Sequence, residues 1–471
     1  MVYLNKYNEV VFNKVNRVEK SNLSISLINE LNANASSLKG ISIFCNELYL
    51  FFYIVMKEWE VELKRFKKGE VRVFSKSRYS CLWLLLLKNM YGFKFSYYMQ
   101  IVFFSLPIFV LCIVFFASSI VTIPLFLFAK WMSTKKNDIK SSRKLCIVRS
   151  QAAFDKIYSY SVKESVDLIS EDIFYKNSNL PSIFSYLNLS NIIDICFSYP
   201  KVLIKDSKEL FFDVIDLFSI NCLGFVFLYY LIRLPFTSLS RLLYVNVFHN
   251  LNVSDVVTGN KEDRFALIES ELSQKHGIKL ICLPHGLEYS FKLPRELVGD
   301  LFYATSEHAS IYLNRLYGTA KFVYDSIVIN DMFDKKYILP HKKCIVFFTE
   351  ARELNVNLEI IRMLDGLRYD FSVKLHPKDC KSNYSLLSFP IDFIDDFKQA
   401  VTGNYCLARK STILLEAIYN GSISSAVLIN SKDSYYVDCV FPSLSDPLIR
   451  KFYCFSELDN LLMTEGFKKN V

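Results

Sequence analysis

Four short pieces of this sequence set reactive side chains beside a glycine, a proline or a helix start, each at the end of a strand-like run. In LPHGLEYS, His285 and Gly286 follow directly on IKLICL. A histidine there can take a proton from an acceptor hydroxyl, because an ordinary imidazole is mostly neutral at cytosolic pH. Gly286 allows a tight turn or a close approach of substrate. In ATSEHAS, Thr305, Ser306 and Glu307 close a strand and open a helix, where they cap the helix or touch substrate. In VKLHPKD, Lys374, His376 and Lys378 cluster past FSVKL, and Pro377 fixes the turn that holds His376. In ARKSTILLEAIYNG, Ser411 and Thr412 can cap a helix whose N–H groups and dipole favour a phosphate. Arg409 and Lys410 add charge there, and Glu416 lies one turn on, where it could accept from ribose hydroxyls. Such donors suit a phosphate leaving group, whose negative charge grows as a glycosidic bond breaks.

Each feature has a plainer reading. Ser411 and Thr412 can be an N-cap and no more, and Glu416 an ordinary helix-face residue. A lone histidine is more often a satisfied structural residue than a catalyst, and His249, His276, His308 and His341 are read so, whereas strand-end position together with a flanking Gly or Pro sets His285 and His376 apart. No DxD stands at a position suited to hold a metal, since Asp395-Asp396 falls in a polar loop. The chemistry expected is therefore metal-independent, with no cofactor beyond a nucleotide-linked substrate, the helix dipole and basic side chains replacing a cation. Twelve cysteines are scattered singly from Cys45 to Cys454, without the paired spacing of a zinc site, which implies reduced thiols in the cytosol.

The elements that position these pieces form two α/β series. The first begins at KLCIVRS (144–150) and continues through VDLIS, SDVVTG, the helix-like KEDRFALIESELSQKHG, IKLICLP and DLFYAT. The second runs through KKCIVFFTE, a helix near 355–365, FSVKLHP, IDFI, YCLAR, a helix over 411–419 and SAVLIN. Runs of four to six apolar residues are what strands covered on both faces require, so each series predicts a parallel sheet. The fold class expected is α/β with two Rossmann-like lobes, 144–335 and 341–471, divided by the polar stretch 331–341. In such sheets ligands sit at the carboxyl ends of strands.

The remaining third is of another kind. Residues 1–98 carry helical-length apolar runs between basic stretches and predict an accessory helical region. Its first twenty residues lack the apolar core and small-residue cleavage site of a secretory signal. From Met99 to Ala129 no residue is charged, and about 20 apolar residues are enough to span a bilayer. Both flanks are basic, with ten Lys or Arg over 57–94 and seven over 130–149, so both ends look cytoplasmic. Pro107 and Pro124 near the ends and Ser118-Ser119 between them favour a membrane-associated hairpin over 99–130 rather than one crossing, with a buried helix pair as the alternative. A shorter run, Leu217–Ile232, reads as a buried or interfacial helix. The net charge of +9 suits anionic partners, and without interleaved aromatic and basic residues a membrane surface fits better than nucleic acid.

In order, HG, TSE, KLHP and ST-xxx-EA-xxx-G resemble GT-B glycosyltransferases of bacterial surface-polymer synthesis, among them capsule Kdo and sialic acid transferases and teichoic-acid CDP-glycerol transferases. The resemblance covers roughly 144–460 and implies transfer of a sugar from a nucleotide-activated donor, with CMP-linked sugars among the donors implied, to a polysaccharide or lipid-linked acceptor in capsule or O-antigen synthesis. The place implied is the cytoplasmic face of the inner membrane. His285 would be the base and Gly286, Ser306 and Glu307 would lie by the acceptor. Lys374, His376, Pro377, Arg409, Ser411 and Thr412 would hold the nucleotide or its phosphate, and Glu416 the ribose. Bacterial sialyltransferases of this kind show an acidic pair followed by Gly; Glu171-Asp172 and Glu262-Asp263 lack that Gly, so the resemblance does not extend to sialic acid or to an acidic base. A competing reading is a non-catalytic membrane-associated assembly protein with a degenerate GT-B fold. A sugar-nucleotide epimerase on the same two-lobed fold would leave the apolar segment without a task.

Overall fold

The structure is a computed structural model. It describes residues 2–4, 10–12, 21–38, 40–63, 72–75, 86, 90, 94–95, 108–133, 143–173, 175–218, 220–222, 229–335, 343–351, 353–385, 387–467 and 469. Among the described residues, sixteen strands in chain order make three sheets. Strands β1 (Val2–Leu4), β2 (Val10–Phe12), β3 (Arg72–Ser75) and β4 (Lys94–Phe95) form a small mixed sheet in the order β2-β1-β3-β4. The N-terminal region is thus not purely helical as expected: helices over 21–37 and 43–63 accompany this sheet.

The two α/β series form two six-stranded sheets. The first contains β5 (Lys144–Val148), β6 (Asp167–Ser170), β7 (Asp255–Thr258), β8 (Lys279–Cys282), β9 (Leu301–Tyr303) and β10 (Phe322–Val323), ordered β10-β9-β8-β7-β5-β6. The second contains β11 (Ile345–Phe348), β12 (Phe371–Lys374), β13 (Asp392–Phe393), β14 (Tyr405–Ala408), β15 (Ile423–Val427) and β16 (Ile449–Phe452), ordered β13-β12-β11-β14-β15-β16. Strand pairs run parallel at β5-β6, β5-β7, β7-β8, β8-β9, β11-β12, β11-β14, β12-β13, β14-β15 and β15-β16. The chain is therefore α/β with two Rossmann-like sheets, as its alternating signals require.

The apolar runs of the second sheet are explained by burial on both faces. Along β11, Ile345 and Phe347 join one core cluster with Val373, Tyr405 and Leu407, whereas Val346 and Phe348 join another with Cys406, Ala408 and Ala426. This is the two-residue alternation of a strand with no solvated face. Helix Leu354–Gly366 supplies Leu358, Ile361 and Leu364 to the first cluster, and helix Ile413–Tyr419 supplies Leu414, Leu415 and Ala417 to the second.

Packing divides the chain into two compact units, residues 1–18, 29–283 and 292–302 in one, and 19–28, 284–291 and 303–471 in the other. The division falls upstream of the expected 331–341, and the HG segment belongs to the second unit.

The apolar segment differs from the expected hairpin. Helix α1 (Ile108–Met132) is continuous for 25 residues through Pro124, and 99–107 lie outside the described residues. The serines do not break it because their hydroxyls fold back onto its own carbonyls: Ser118 and Ser119 donate to Phe115 O at 2.8 and 2.7 Å, and Thr122 to Ser118 O at 2.9 Å. Polar groups satisfied within the helix carry no signal to turn. Residues 113–132 are long and apolar enough to cross a membrane by length and composition. The run Leu217–Ile232 is not one helix in its described part: helix α2 (Leu189–Leu217) ends there, and a short turn (220–222) precedes helix α3 (Arg233–Leu251).

Candidate functional site

In the second sheet the strand order reverses between β11 and β14, and a ligand crevice is expected outside the carboxyl ends of strands at such a point. Those ends carry Thr349-Glu350 and Arg409-Lys410-Ser411, and β12 beside β11 ends in Leu375-His376-Pro377. With strands about 4.8 Å apart, the ends of β12 and β14 lie about 10 Å apart on one edge.

His376 is fixed by the backbone. Its N–H donates to Thr349 Oγ1 at 3.0 Å, and its Nδ1 accepts from the Lys378 N–H at 3.1 Å. An accepting Nδ1 places the proton of the neutral ring on Nε2. Burial first, then the Lys378 charge, push the pKa of His376 down, with Asp379 pulling partly the other way. The ring is therefore a neutral donor, half-buried, at a strand end. Asp379 completes the turn: it accepts from Thr349 Oγ1 at 3.1 Å, Asn383 Nδ2 at 2.6 Å and Tyr384 OH at 2.6 Å. The sequence held Asp379 inside KLHPKD, but nothing in its type or spacing marked it as the residue that closes the turn. Lys374 reaches sideways to Asp395 O at 2.6 Å, and Lys378 is exposed.

Arg409 does not do what its position beside Ser411 suggested. It is fully buried, with Nε on Asp433 at 2.6 Å, Nη2 paired to Glu353 and Nη1 on Asn357 Oδ1 at 3.2 Å. Lys410 is bound to the same carboxylates, Asp433 at 2.6 Å and Glu353 at 3.2 Å. These two cations are held inside the protein and are not presented to a phosphate. Burial alone would raise Glu353, but Lys410, Lys432 and Arg409 outweigh it and hold its carboxyl at about 2. Glu353 also starts helix Leu354–Gly366 in a left-handed conformation, φ 56°, which a non-glycine residue adopts at a cost that these ion pairs offset. Asn357 joins the network to the histidine turn, since its Nδ2 donates to Tyr384 OH at 3.2 Å.

The helix after Ser411 is Ile413–Tyr419, with Thr412 at the N-cap. Thr412 makes no side-chain cap bond, contrary to the capping role expected, and the Ser411 hydroxyl accepts only a long bond from Ile413 N, 3.4 Å. Both hydroxyls are half-buried at the carboxyl edge. Glu416 is buried and lies 3.7 Å from Lys335.

The HG segment is anchored by residues that sequence reasoning passed over. Leu287 packs in the core cluster with Phe348, Leu414 and Leu444. Glu288, fully buried, accepts from Thr305 N at 2.6 Å, from Thr305 Oγ1 at 2.7 Å and from Ser443 Oγ. Ser290 N donates to Val440 O at 2.8 Å. His285 stays exposed at the start of this pinned segment, with Gly286 half-buried beside it. Ser306 is buried and caps helix Glu307–Tyr317 by accepting from Ala309 N at 3.1 Å, so its hydroxyl is a helix cap rather than a substrate contact. Glu307 is exposed in that helix's first turn.

Three of the four pieces meet directly. Glu288 joins HG to Thr305, and Tyr419, at the end of the ST helix, donates to Thr305 O at 3.0 Å. The KLHP turn joins the ARK strand end through Tyr384, Asn357 and Arg409. Among the described residues no group of three or more His, Cys, Asp or Glu could hold a metal ion, Asp396 caps a short helix and Asp395 pairs with Lys381. In the first sheet the order reverses between β5 and β7, where Arg149 pairs with buried Glu269 at 2.5 Å and donates to Thr258 Oγ1 at 3.0 Å, an internal ion pair at that strand end.

No protein-family profile matches the chain, and no curated protein does. Among solved structures it is similar to UDP-GlcNAc 2-epimerase from Neisseria meningitidis bound to UDP-GlcNAc, with 11% identity and a TM-score of 0.40 over 69% of this chain and 91% of that one, a likeness too loose to carry an argument.

Proposed function

We propose that this chain is a metal-independent glycosyltransferase that moves a sugar from a nucleotide-activated donor to a polysaccharide or lipid-linked acceptor at the cytoplasmic face of a membrane. One observation carries the reading: His376 is locked as a neutral Nε2–H donor on the edge that also holds the hydroxyls of Ser411 and Thr412, neither of which donates a hydrogen bond among the described residues. Neutral donors at the carboxyl end of a reversing parallel sheet suit the phosphate of a nucleotide. His285, exposed on its pinned segment, takes the proton of the acceptor hydroxyl. That oxygen then attacks the anomeric carbon, and the bond from that carbon to the donor's phosphate oxygen breaks, with the electron pair leaving on the phosphate. His376, Ser411 and Thr412 stabilise the charge that grows there. Helix α1 holds the protein at the bilayer where a lipid-linked acceptor lies.

Thermal shift of the full chain against CMP, CDP, UDP and GDP tests this. A ligand at 100 times its Kd stabilises the folded state by about 2.7 kcal/mol. One of the four should raise the melting temperature, and His376→Ala should remove most of that rise. No rise with any of them, or the same rise in the variant, overturns the reading; a rise without transfer to any acceptor supports instead a nucleotide-binding assembly protein.

A further inference from the structure

Helix α2 packs against the rest of the first unit along one side, through Ile195, Tyr199, Leu203, Leu210 and Val214. Between that packed side and its polar face the helix carries an apolar flank that a surface helix normally does not show. Leu189, Ile193, Phe197, Ile204, Phe211 and Ile215 are all exposed, Phe197 by 83%. At 3.6 residues per turn they fall within an arc of roughly 80°, one stripe along the whole helix. Lys201 and Lys208 lie just beside the stripe, exposed and without an ion-pair partner among the described residues. Lys205 lies further round, with Asp194, Glu209 and Asp216, and pairs with Glu209 at 3.6 Å.

We infer that this stripe is a lipid-docking face, seated on an anionic bilayer with its aromatic and branched side chains at the acyl boundary and Lys201 and Lys208 among the phosphates. Three observations select lipid over protein. The border of the stripe is basic, which complements acidic headgroups. The helix touches α1 directly, Tyr199 OH donating to Ser119 O at 3.3 Å, and α1 is the segment apolar enough to enter a membrane. Helix α1 itself leaves Phe116, Ile120 and Trp131 exposed, Trp131 by 73%. Two touching helices of one unit thus both carry bare apolar faces. This inference concerns the first unit alone and stands whether or not the second unit transfers sugars.

The test places p-benzoylphenylalanine at Phe197, Phe211 or Glu209 in the full chain, irradiates with vesicles of phosphatidylethanolamine and phosphatidylglycerol, and identifies adducts by mass spectrometry. Phe197 and Phe211 are exposed and Glu209 is half-buried, none of them in the core, so the replacements leave the core untouched. Phospholipid adducts are expected at 197 and 211 and not at 209. Adding Lys201→Glu and Lys208→Glu should lower the yield at 197 on the order of ten-fold with these vesicles, and far less with phosphatidylcholine alone. Equal yields at all three positions, no lipid adduct at 197 and 211, or adducts there to protein, whether a second copy or another chain, overturn the inference.

Discussion

The carboxylate of Glu288 accepts both the backbone N–H and the hydroxyl of Thr305, at 2.6 and 2.7 Å, with every atom of the glutamate side chain out of reach of water. Two segments about 17 residues apart in sequence are joined by this one group, and Ser443 adds a third from near the C-terminus. Because Leu287 is packed in the core one residue earlier, the segment is held at 287 and 288 while His285 remains at the surface. Glu288 is thus a positioning residue for the proposed base.

Glu288→Gln should therefore destabilise the fold and loosen the HG segment together. An amide set against the Thr305 N–H turns one acceptor into a donor and leaves a buried group unmatched, a cost of about 1–3 kcal/mol. Urea denaturation measures the cost, and amide exchange at 285–290 should quicken. Unchanged stability with unchanged exchange would show that the carboxylate does not hold the segment.

His285→Ala should behave in the opposite way. The side chain is exposed, so the fold should lose little, within the ±0.5 kcal/mol usual for surface substitutions. Transfer should fall by about 10²–10⁴-fold, the range for loss of a general base. Nucleotide-induced stabilisation should persist. Loss of folding would mark a structural histidine, and full transfer activity would remove the base from His285.

What the sequence made legible was the period of burial and the ends of strands. IVFF and CLA could be read as strands covered twice because both cores need apolar residues at every position, and the structure places them so. His376 could be found because a proline follows it at a strand end. Arg409 could not be read correctly: a cation before Ser-Thr looks the same whether it faces a phosphate or Asp433, which lies 24 positions further along. Glu288 and Asp379 were equally silent, since their roles lie in long-range hydrogen bonds that no local period records. Pro124 misled for a different reason, as α1 runs on through it and the hydroxyls of Ser118, Ser119 and Thr122 bond to carbonyls of the same helix rather than marking a turn.

Glu353 makes the fold sensitive to acid. Its carboxyl titrates at about 2 in the folded chain against an ordinary 4.5, so between those values the unfolded chain binds more protons. Its contribution is complete above about pH 4.5 and is lost as pH falls toward 2, and at about 1.4 kcal/mol per pH unit it amounts to about 3 kcal/mol. Glu353→Gln should lie below the wild type by about that much at pH 7, with the gap narrowing as pH falls below 4.5 in chemical denaturation. A gap that is constant from pH 7 to 3.5 would mean the ion pairs with Arg409, Lys410 and Lys432 contribute nothing.

His376 gives the sharpest test of the phosphate edge, because its two nitrogens have different tasks. Nδ1 accepts from Lys378 N–H in the turn, and in the proposed role Nε2–H donates to the nucleotide's phosphate. Since burial lowers its pKa, the ring stays neutral as pH drops from 8 toward its ordinary range, and nucleotide affinity should be flat over that interval. At lower pH a second proton on Nδ1 would face the Lys378 N–H, donor against donor, and the turn should loosen, so the stability this group gives above its ordinary pKa is lost as pH falls below it. His376→Ala should weaken nucleotide binding by about 10- to 100-fold, the value of one hydrogen bond to a charged group. His376→Gln, which can set an amide N–H near the place of Nε2, should recover part of that loss. If both variants bind nucleotide as the wild type does, the donor lies elsewhere on the protein.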